Sequence, residues 1–239
     1  MNIYSLTCTR DEELSLTTTK LLEYFKRCNI ESKLLINESS IFDAYDKGID
    51  SLNAKLDDII ILCHDDIEIM TDPLLFTQLL KKNLSKPDIG FVGVAGTAKL
   101  TKNGVWWDLE VWKDSLHSGV VYHGPDMDNL ESTYFGKLGE VVVLDGLFLA
   151  ATKKTLRNIQ IKKPAAFEGA WDFYDIFYTF QAFLKKKKNY TLPIQLRHES
   201  FGDLAGRDSW HKNRNAFCSL FDKYLPASVD RVNPAGYSI

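Results

Sequence analysis

Hydrophobic positions in the first two thirds of the chain alternate between the period of strands and that of amphipathic helices. The run from Ile3 to Cys8 predicts a first strand, and apolar residues at three- and four-residue spacing from Leu14 to Cys28 predict a helix. Lys33 to Ile36 predicts the second strand. Alternating signals at this interval are typical of βαβ units, so we expect an α/β fold with a mostly parallel central sheet flanked by helices.

Two helix starts and one buried strand follow. Ser40 with Asp43 three residues later resembles a capping box, and Asp72 followed by Pro73 predicts an N-cap with a first-turn proline. The continuous aliphatic run from Asp58 to Cys63 predicts a central strand buried on both faces. The later expected elements are a strand at Ile89–Ala95, an irregular binding segment at Gly96–Gly139, a strand at Glu140–Leu144, a helix at Ala170–Leu184, a strand at Thr191–Arg197 and a short helix around Ala216–Tyr224.

Composition adds that the chain is an ordinary folded protein whose two parts differ in charge. It has 239 residues, 45% apolar and 26% charged, with a net charge of −3. Up to Thr152 it carries 24 acidic and 14 basic residues, and after Thr152 it carries 15 basic and 8 acidic residues. The only dense basic cluster, Lys185 to Lys188, is too small to track a nucleic-acid backbone, so we expect no nucleic-acid partner. It is either a solvated helix end or a weak contact with an anionic membrane face.

The cysteines and the start of the chain bear on location. The four cysteines are scattered without C-x-x-C spacing, which is typical of reduced core thiols. The start MNIYSLTCTRDEEL lacks the pattern of a signal peptide, and no apolar run approaches the ~20 residues that span a bilayer. We therefore expect a cytoplasmic protein, with peripheral contact at the inner membrane face as a further expectation.

Acids and histidines stand where the predicted strands end, which is where open α/β sheets bind ligands. These residues are His64-Asp65-Asp66, Asp145 and His198. Paired acids after a buried strand suit Mn²⁺ or Mg²⁺, and a neutral imidazole can complete such a shell. The alternatives are a polar loop opening for the acids and an ordinary hydrogen-bonded role for His198.

A second candidate site lies in the aromatic helix predicted at Ala170–Leu184. Asp172 and Asp175 would share a face of that helix, with Thr179 one turn further on. Such a polar stripe either caps the first turn or faces a cavity where one carboxylate acts as a base. Capping suits Asp172 better than Asp175. The chain has no Gly-x-x-x-x-Gly-Lys loop, Gly-x-Gly-x-x-Gly turn or Gly-x-Ser-x-Gly elbow, which argues against P-loop, dinucleotide-binding and serine-hydrolase enzymes.

The order of five segments resembles GT-A fold glycosyltransferases of the family 2 kind, and more narrowly the small streptomycin-biosynthesis-like branch. The segments are YDKGIDSLNAKLDDIIILCHDDIEI, GFVGVAG, VVVLDGLFLAATKK, WDFYDIFYTF and RHESFG. The resemblance implies a metal-dependent, inverting transfer of a sugar from a nucleotide-sugar donor to a glycan, polysaccharide or lipid-linked acceptor. It also implies one GT-A domain over residues 1–239, with a nucleotide-binding half at 1–95 and an acceptor-binding half at 96–239.

The resemblance also implies roles for individual residues. Asp66, His64 and His198 would hold Mn²⁺ or Mg²⁺, and Asp175 would be the catalytic base. The donor contacts would be Thr7, Thr9, Arg10, Asp65, Asp145 and Gly146, and the acceptor contacts Trp106, Trp107 and Asp172. His64 replaces the first acid of the family's Asp-x-Asp motif, and Phe177 stands where a second acid often follows. A non-catalytic glycan-binding module on the same fold and a nucleotidyltransferase therefore remain alternatives.

Overall fold

The computed structural model describes residues 1–10, 13–200 and 207–230, which form a mixed α/β fold. The strands are β1 (Ile3–Thr9), β2 (Glu31–Ile36), β3 (Ile59–Cys63), β4 (Ile67–Ile69), β5 (Ile89–Gly93), β6 (Ala95–Thr97), β7 (Lys99–Leu100), β8 (His117–His123), β9 (Glu131–Gly136), β10 (Glu140–Val141), β11 (Val143–Leu144), β12 (Phe148–Thr152), β13 (Lys188–Thr191), β14 (Leu196–His198) and β15 (Ala227–Ser228). The helices are α1 (Leu16–Arg27), α2 (Ile41–Ser51), α3 (Pro73–Leu84), α4 (Leu109–Lys113), α5 (Lys153–Asn158), α6 (Tyr174–Leu184) and α7 (Asp208–Phe221).

The central sheet has seven strands in the order β10-β13-β5-β12-β3-β1-β2. Strands β1, β2, β3, β5 and β13 run in one direction, while β12 and β10 run against them. The expectation of a mostly parallel sheet is confirmed, but β12 was not anticipated. It lies between β3 and β5, with Phe148 opposite Cys63. Every residue of β3 and β5 is buried, because both faces of these strands are covered.

A second sheet has six strands, with β11-β6-β8-β14-β4 in order and β9 paired to β8. It corrects several predicted boundaries. The strands expected at Ile89–Ala95, Glu140–Leu144 and Thr191–Arg197 are each divided between the two sheets, as β5 and β6, β10 and β11, and β13 and β14. The segment expected to be irregular, Gly96–Gly139, contains β7, β8, β9 and α4 and part of β6. Gly119, at φ +108°, lets β6 and β8 approach closely, since a Cβ there would clash with the Val94 carbonyl oxygen.

The helices begin where polar caps satisfy their first amides. Ser40 accepts from the Asp43 amide at α2, and Asp72 accepts from two amides at α3, as predicted. The helix expected from Ala170 begins only at Tyr174, because Phe173 takes a left-handed conformation with φ 70°. The short helix expected near Ala216 is the end of the fourteen-residue α7, followed by a 3₁₀ turn.

The packing of the helices leaves one end of the sheet open. α1 packs against α3 through Tyr24 and Phe76, and α2 packs against α6 through Phe42 and Tyr178. At one edge, the carboxyl ends of β1, β3 and β14 meet the start of α6 and the side of α7. No helix in the described ranges is long and apolar enough to cross a membrane.

Candidate active site

A cleft of about 1010 Å³ occupies this edge, and every site residue predicted from the sequence except Thr7 lines it. The predicted residues that line it are Thr9, Arg10, His64, Asp65, Asp66, Trp106, Trp107, Asp145, Gly146, Asp172, Asp175 and His198. Residues from both ends of the sequence therefore converge on one concave surface, the usual form of a small-molecule site.

Thr7 is a correction to the predicted donor site. Its side chain is buried within the sheet and its hydroxyl lies 3.2 Å from the Cys63 thiol, because β1 and β3 are neighbours with Thr7 opposite Cys63. It does not line the cleft. Thr9, two residues later, points to the same side of the strand and, at its carboxyl end, lines the cleft.

Three side chains form a compact cluster that could hold a metal ion. One ligand atom each from His64, Asp66 and His198 lies within 4.8 Å of the others. His198 Nε2 is 3.1 Å from Asp66 Oδ2, and His64 Nδ1 is 3.7 Å from Asp66 Oδ1. Backbone pairing sets this geometry: β14 runs antiparallel to β4, and the Glu199 amide donates to the Asp66 carbonyl.

Tyr174 determines which nitrogen of His64 faces the cluster. The Tyr174 hydroxyl donates its only proton to the Gly146 carbonyl at 3.0 Å, so towards His64 Nε2, 3.1 Å away, its oxygen must accept. His64 therefore carries its proton on Nε2 and turns the Nδ1 lone pair towards Asp66. A cation between this lone pair and the carboxylate would be bound by both, so these residues fit a metal ion.

The protonation states also suit metal binding. Burial alone would raise the pKa of Asp66, but the hydrogen bond and charge of His198, with His64 and Ser200, lower it to about 2. Burial lowers the pKa of His64, which favours the neutral imidazole that metals require. Two imidazole nitrogens and one carboxylate oxygen form a mixed ligand set suited to a first-row divalent ion.

Asp175 lies in the first turn of α6, beside the metal-ligand cluster. Burial, and after it the charge of Asp145, raises the pKa of Asp175 to about 7. The Gly146 amide donates to Asp175 Oδ2 at 2.9 Å and so holds the carboxylate in place. A carboxylate with a pKa near neutrality is suited to take a proton from a hydroxyl. Thr179, expected on the same polar stripe, instead bonds to backbone at Asp175 and Leu144.

Gly146 must be a glycine in this arrangement. A Cβ at this position would clash with the Tyr174 hydroxyl oxygen and lie 3.1 Å from the Asp175 Cβ. The preceding Asp145 accepts from the Leu147 amide at 2.9 Å, which closes the turn between β11 and β12. The turn therefore places the metal-ligand cluster and the Asp175 carboxylate in fixed relation.

Asp172 is not on a helix face shared with Asp175, because α6 begins after it. Its buried carboxylate accepts from Ser209 at 2.6 Å and pairs with Arg207 at 3.4 Å. Asn213 donates to the Asp172 backbone carbonyl at 2.9 Å. Asp172 therefore anchors α7 to the segment before α6.

The two predicted acceptor tryptophans differ in exposure. Trp106 is buried and meets Trp107 edge to face at 5.6 Å. Trp107 is half-buried and lies 5.4 Å from Trp210 at a tilt of 33°. Trp107 has the more accessible aromatic face of the pair.

Sequence reasoning missed Tyr174 and the side of α7 that lines the cleft. Tyr174 lies within an aromatic run, and nothing in that pattern singles out one hydroxyl. The α7 residues could have been found: RDSWHKNR places Arg207, Trp210, His211 and Arg214 at one helical face, a spacing typical of an amphipathic helix.

Fold and site together define a glycosyltransferase of the GT-A fold. The chain belongs to the Glycosyltransferase like family, whose model matches residues 5–219. This assignment favours an enzyme that transfers sugars over the nucleotidyltransferase and the non-catalytic binding module.

Solved structures show the fold at low sequence identity. GalNAc-T7, crystallised with UDP, GalNAc and Mn²⁺, aligns with a TM-score of 0.59 at 12% identity, over 93% of this chain and 49% of that chain. The chain thus spans about half the length of GalNAc-T7. A197 from STIV aligns with a TM-score of 0.51 at 14% identity, over 85% of this chain and 87% of that chain. Curated protein sequences give no match.

Proposed function

We propose that this glycosyltransferase moves a sugar from a nucleotide-sugar donor to a glycan, polysaccharide or lipid-linked acceptor, depends on a divalent cation, and inverts the anomeric carbon. One observation carries the proposal. A ligand cluster for a cation and a carboxylate with a pKa near 7 lie in one cleft, joined through Tyr174 and Gly146. Such a pairing provides positive charge for the departing diphosphate and a base for the attacking hydroxyl.

His64, Asp66 and His198 would hold the cation. When bound, it supplies positive charge that offsets the charge growing on the diphosphate. Two of the three ligands are imidazoles, which transition-metal ions accept more readily than Mg²⁺ does, so Mn²⁺ is the better candidate. The Mn²⁺ in the GalNAc-T7 structure supports the same choice.

The donor would lie along the strand ends. Thr9 at the end of β1 and Arg10 after it would face the nucleotide, and Asp65, Asp145 and Gly146 would lie beside the ribose or the donor sugar. We retain the division into a nucleotide-binding half at 1–95 and an acceptor-binding half at 96–239 as part of this proposal.

Asp175 would act as the base in a single displacement. The acceptor oxygen forms a bond to the anomeric carbon while the bond from that carbon to the diphosphate breaks, and the hydroxyl proton passes to Asp175. The Gly146 amide keeps the carboxylate oriented, and the Tyr174 hydroxyl keeps His64 in the tautomer that leaves Nδ1 unprotonated. Trp107 would stack on the acceptor sugar, with Asp172 holding the wall behind it.

Narrower features of the proposal concern the family branch and the location. The segments quoted above support the streptomycin-biosynthesis-like branch. We further propose a cytoplasmic enzyme that makes peripheral contact with the inner membrane face through Lys185 and Lys186, which are exposed at the end of α6. Lys188 is less available for such contact because it pairs with Asp88 at 3.5 Å.

Nucleotide binding and donor turnover test the proposal. A panel of UDP, GDP, CDP and dTDP, with Mn²⁺ and without it, should show at least one nucleotide whose binding raises the melting temperature only with the ion. Asp66→Asn should abolish that metal-dependent shift and slow donor hydrolysis by orders of magnitude. Metal-independent binding, or full turnover in Asp66→Asn, would contradict the proposal.

A further inference from the structure

The side of α7 that lines the cleft carries a basic and aromatic face. Arg207 at the helix start, Trp210, His211 and Arg214 all border the cleft. Their positions are separated by three, four and seven residues from the first, so they share one face of the helix. The buried residues of α7 are Trp210, Asn213 and Phe217, and this stripe, which adjoins the two arginines, fixes the orientation of α7 against the body of the protein.

An aromatic platform lies at the centre of this face. The buried Trp210 is 5.4 Å from Trp107 and 5.3 Å from Phe173, so it is packed on its neighbours and supports the half-buried Trp107, whose ring is the accessible one. The Arg214 guanidinium lies 5.8 Å from the centre of the Trp210 ring. Rigid aromatic faces suit the apolar faces of sugar rings, and a guanidinium stacked on one is held ready for a planar anion.

Charge along the cleft is unevenly distributed. The strand-end side and the start of α6 carry four acids, Asp65, Asp66, Asp145 and Asp175, together with Arg10, whereas the α7 side carries Arg207 and Arg214. Arg207 already pairs with Asp172 at 3.4 Å. Arg214 donates to the Asn215 amide oxygen at 3.0 Å, and within the described ranges no carboxylate lies within ion-pair distance of it.

We infer that the acceptor is an acidic glycan, with a carboxylate or phosphate group bound by Arg214 and its sugar ring on Trp107. The inference rests on the proposed function, because it assigns the second ligand of the same cleft. A neutral acceptor would use the aromatic platform and hydroxyl contacts, but the Arg214 guanidinium in the cleft wall would then bind no anion. A donor diphosphate has its own counterion at the metal-ligand cluster, and Arg214 shares no contact with that cluster among the described residues.

The test is a glycan array carrying neutral, carboxylate-bearing and phosphate-bearing oligosaccharides, probed in Mn²⁺ with the best-binding nucleoside diphosphate. The protein should retain anionic oligosaccharides, and the array class that binds distinguishes carboxylate from phosphate. Arg214→Gln should weaken that retention at least about tenfold, the loss of one charge-assisted hydrogen bond. Raising the salt concentration should weaken it further.

Lys212→Gln is the matched control, since Lys212 lies on the same helix and pairs with Glu168 and Asp208 away from the cleft. It should retain the anionic glycans. Preferential binding of neutral glycans, no retained anionic glycan, or equal losses in the two variants would overturn the inference. So would a matching loss of nucleotide affinity in Arg214→Gln, because the guanidinium would then serve the donor.

The nucleotide measurements keep the two ideas apart. If Asp66→Asn abolishes metal-dependent nucleotide binding while the array retains only neutral glycans, the acidic acceptor alone is refuted. If Asp66→Asn has no effect on nucleotide binding, the proposed function fails whatever the array shows.

Discussion

Two sides of the cleft are built by different means. On one side, His64, Asp66 and His198 stand at strand ends, and their spacing follows from the backbone pairing of β4 with β14. On the other side, Trp210 and Arg214 project from one face of α7, which is held by side-chain packing. A change of sheet register shifts the strand by at least one whole residue and so displaces all of its side chains. A substitution on a helix face changes one side chain and leaves the others in place. The metal-ligand cluster thus lies on the side that the backbone fixes, the rigid side, and acceptor recognition lies on the side that single substitutions can change.

The largest effect is expected on the rigid side, at Asp175. Asp175→Asn should lower the turnover of donor and acceptor by about 10²- to 10⁴-fold, because the carboxylate no longer takes the hydroxyl proton. Metal-dependent nucleotide binding, followed by calorimetry, should persist, since the ligand cluster does not include this residue. A variant that keeps its turnover would remove Asp175 from the mechanism.

Tyr174 tests whether the His64 tautomer matters. Tyr174→Phe removes the hydroxyl that accepts from His64 and donates to Gly146, and should weaken Mn²⁺ affinity by about 10- to 100-fold. Titration of Mn²⁺ followed by electron paramagnetic resonance measures this without turnover. Tyr178→Phe is the control, because the buried Tyr178 hydroxyl donates to the Ile161 carbonyl instead. Equal affinities in the two variants would show that the tautomer is set elsewhere.

The raised pKa of Asp175 predicts a pH dependence of stability. Its pKa is about 7 in the folded protein against an ordinary value of 3.8, so the folded state holds this proton more tightly. The free energy of unfolding should therefore fall between about pH 4 and pH 7 and level off above it, relative to Asp175→Asn. Urea unfolding of both proteins across this range measures the difference. Activity should rise over the upper part of the window as the base form appears. If the difference in the free energy of unfolding between the two proteins does not change with pH, the raised pKa of Asp175 is refuted.

The smallest effect is expected where α7 is anchored. Ser209→Ala removes a hydrogen bond to the buried Asp172 carboxylate and should lower the free energy of unfolding by about 1 to 3 kcal/mol. Ser219→Ala is the control on the same helix, since exposed Ser219 bonds only to the Asn215 carbonyl. That change should stay within about 0.5 kcal/mol. Equal effects would mean that Asp172 does not hold this side of the cleft.

Local patterns predicted the parts of the fold that local energies decide. The aliphatic run of β3 and the polar caps Ser40 and Asp72 act over a few residues, and the structure confirms them. The antiparallel β12 and the strands divided between two sheets depend on long-range pairing. A short apolar run such as Phe148–Thr152 has no periodicity that reveals its direction or its partner.

The candidate site could likewise be predicted where strand ends decide it, and could not be predicted where long-range contacts decide it. Acids and histidines after strands could be expected to meet, because carboxyl ends of parallel strands share an edge. Thr7 is buried in the sheet whereas Thr9, two residues further along the same side of β1, lines the cleft, and the sequence pattern does not show where along the strand the cleft begins. The placement of Asp172 depended on where α6 begins, which the left-handed Phe173 sets. The Tyr174 hydrogen bonds depend on tertiary approach to His64, 110 positions away in the chain.

The turn at Gly146 has a consequence for how the enzyme tolerates change. A single residue offers its amide to Asp175 and its carbonyl to Tyr174, with no room for a methyl group. An insertion or deletion at this turn would impair cation binding and proton removal together. Substitutions on the side of α7 that lines the cleft leave that turn untouched, so the sugars accepted can diversify while the reaction itself is inherited intact.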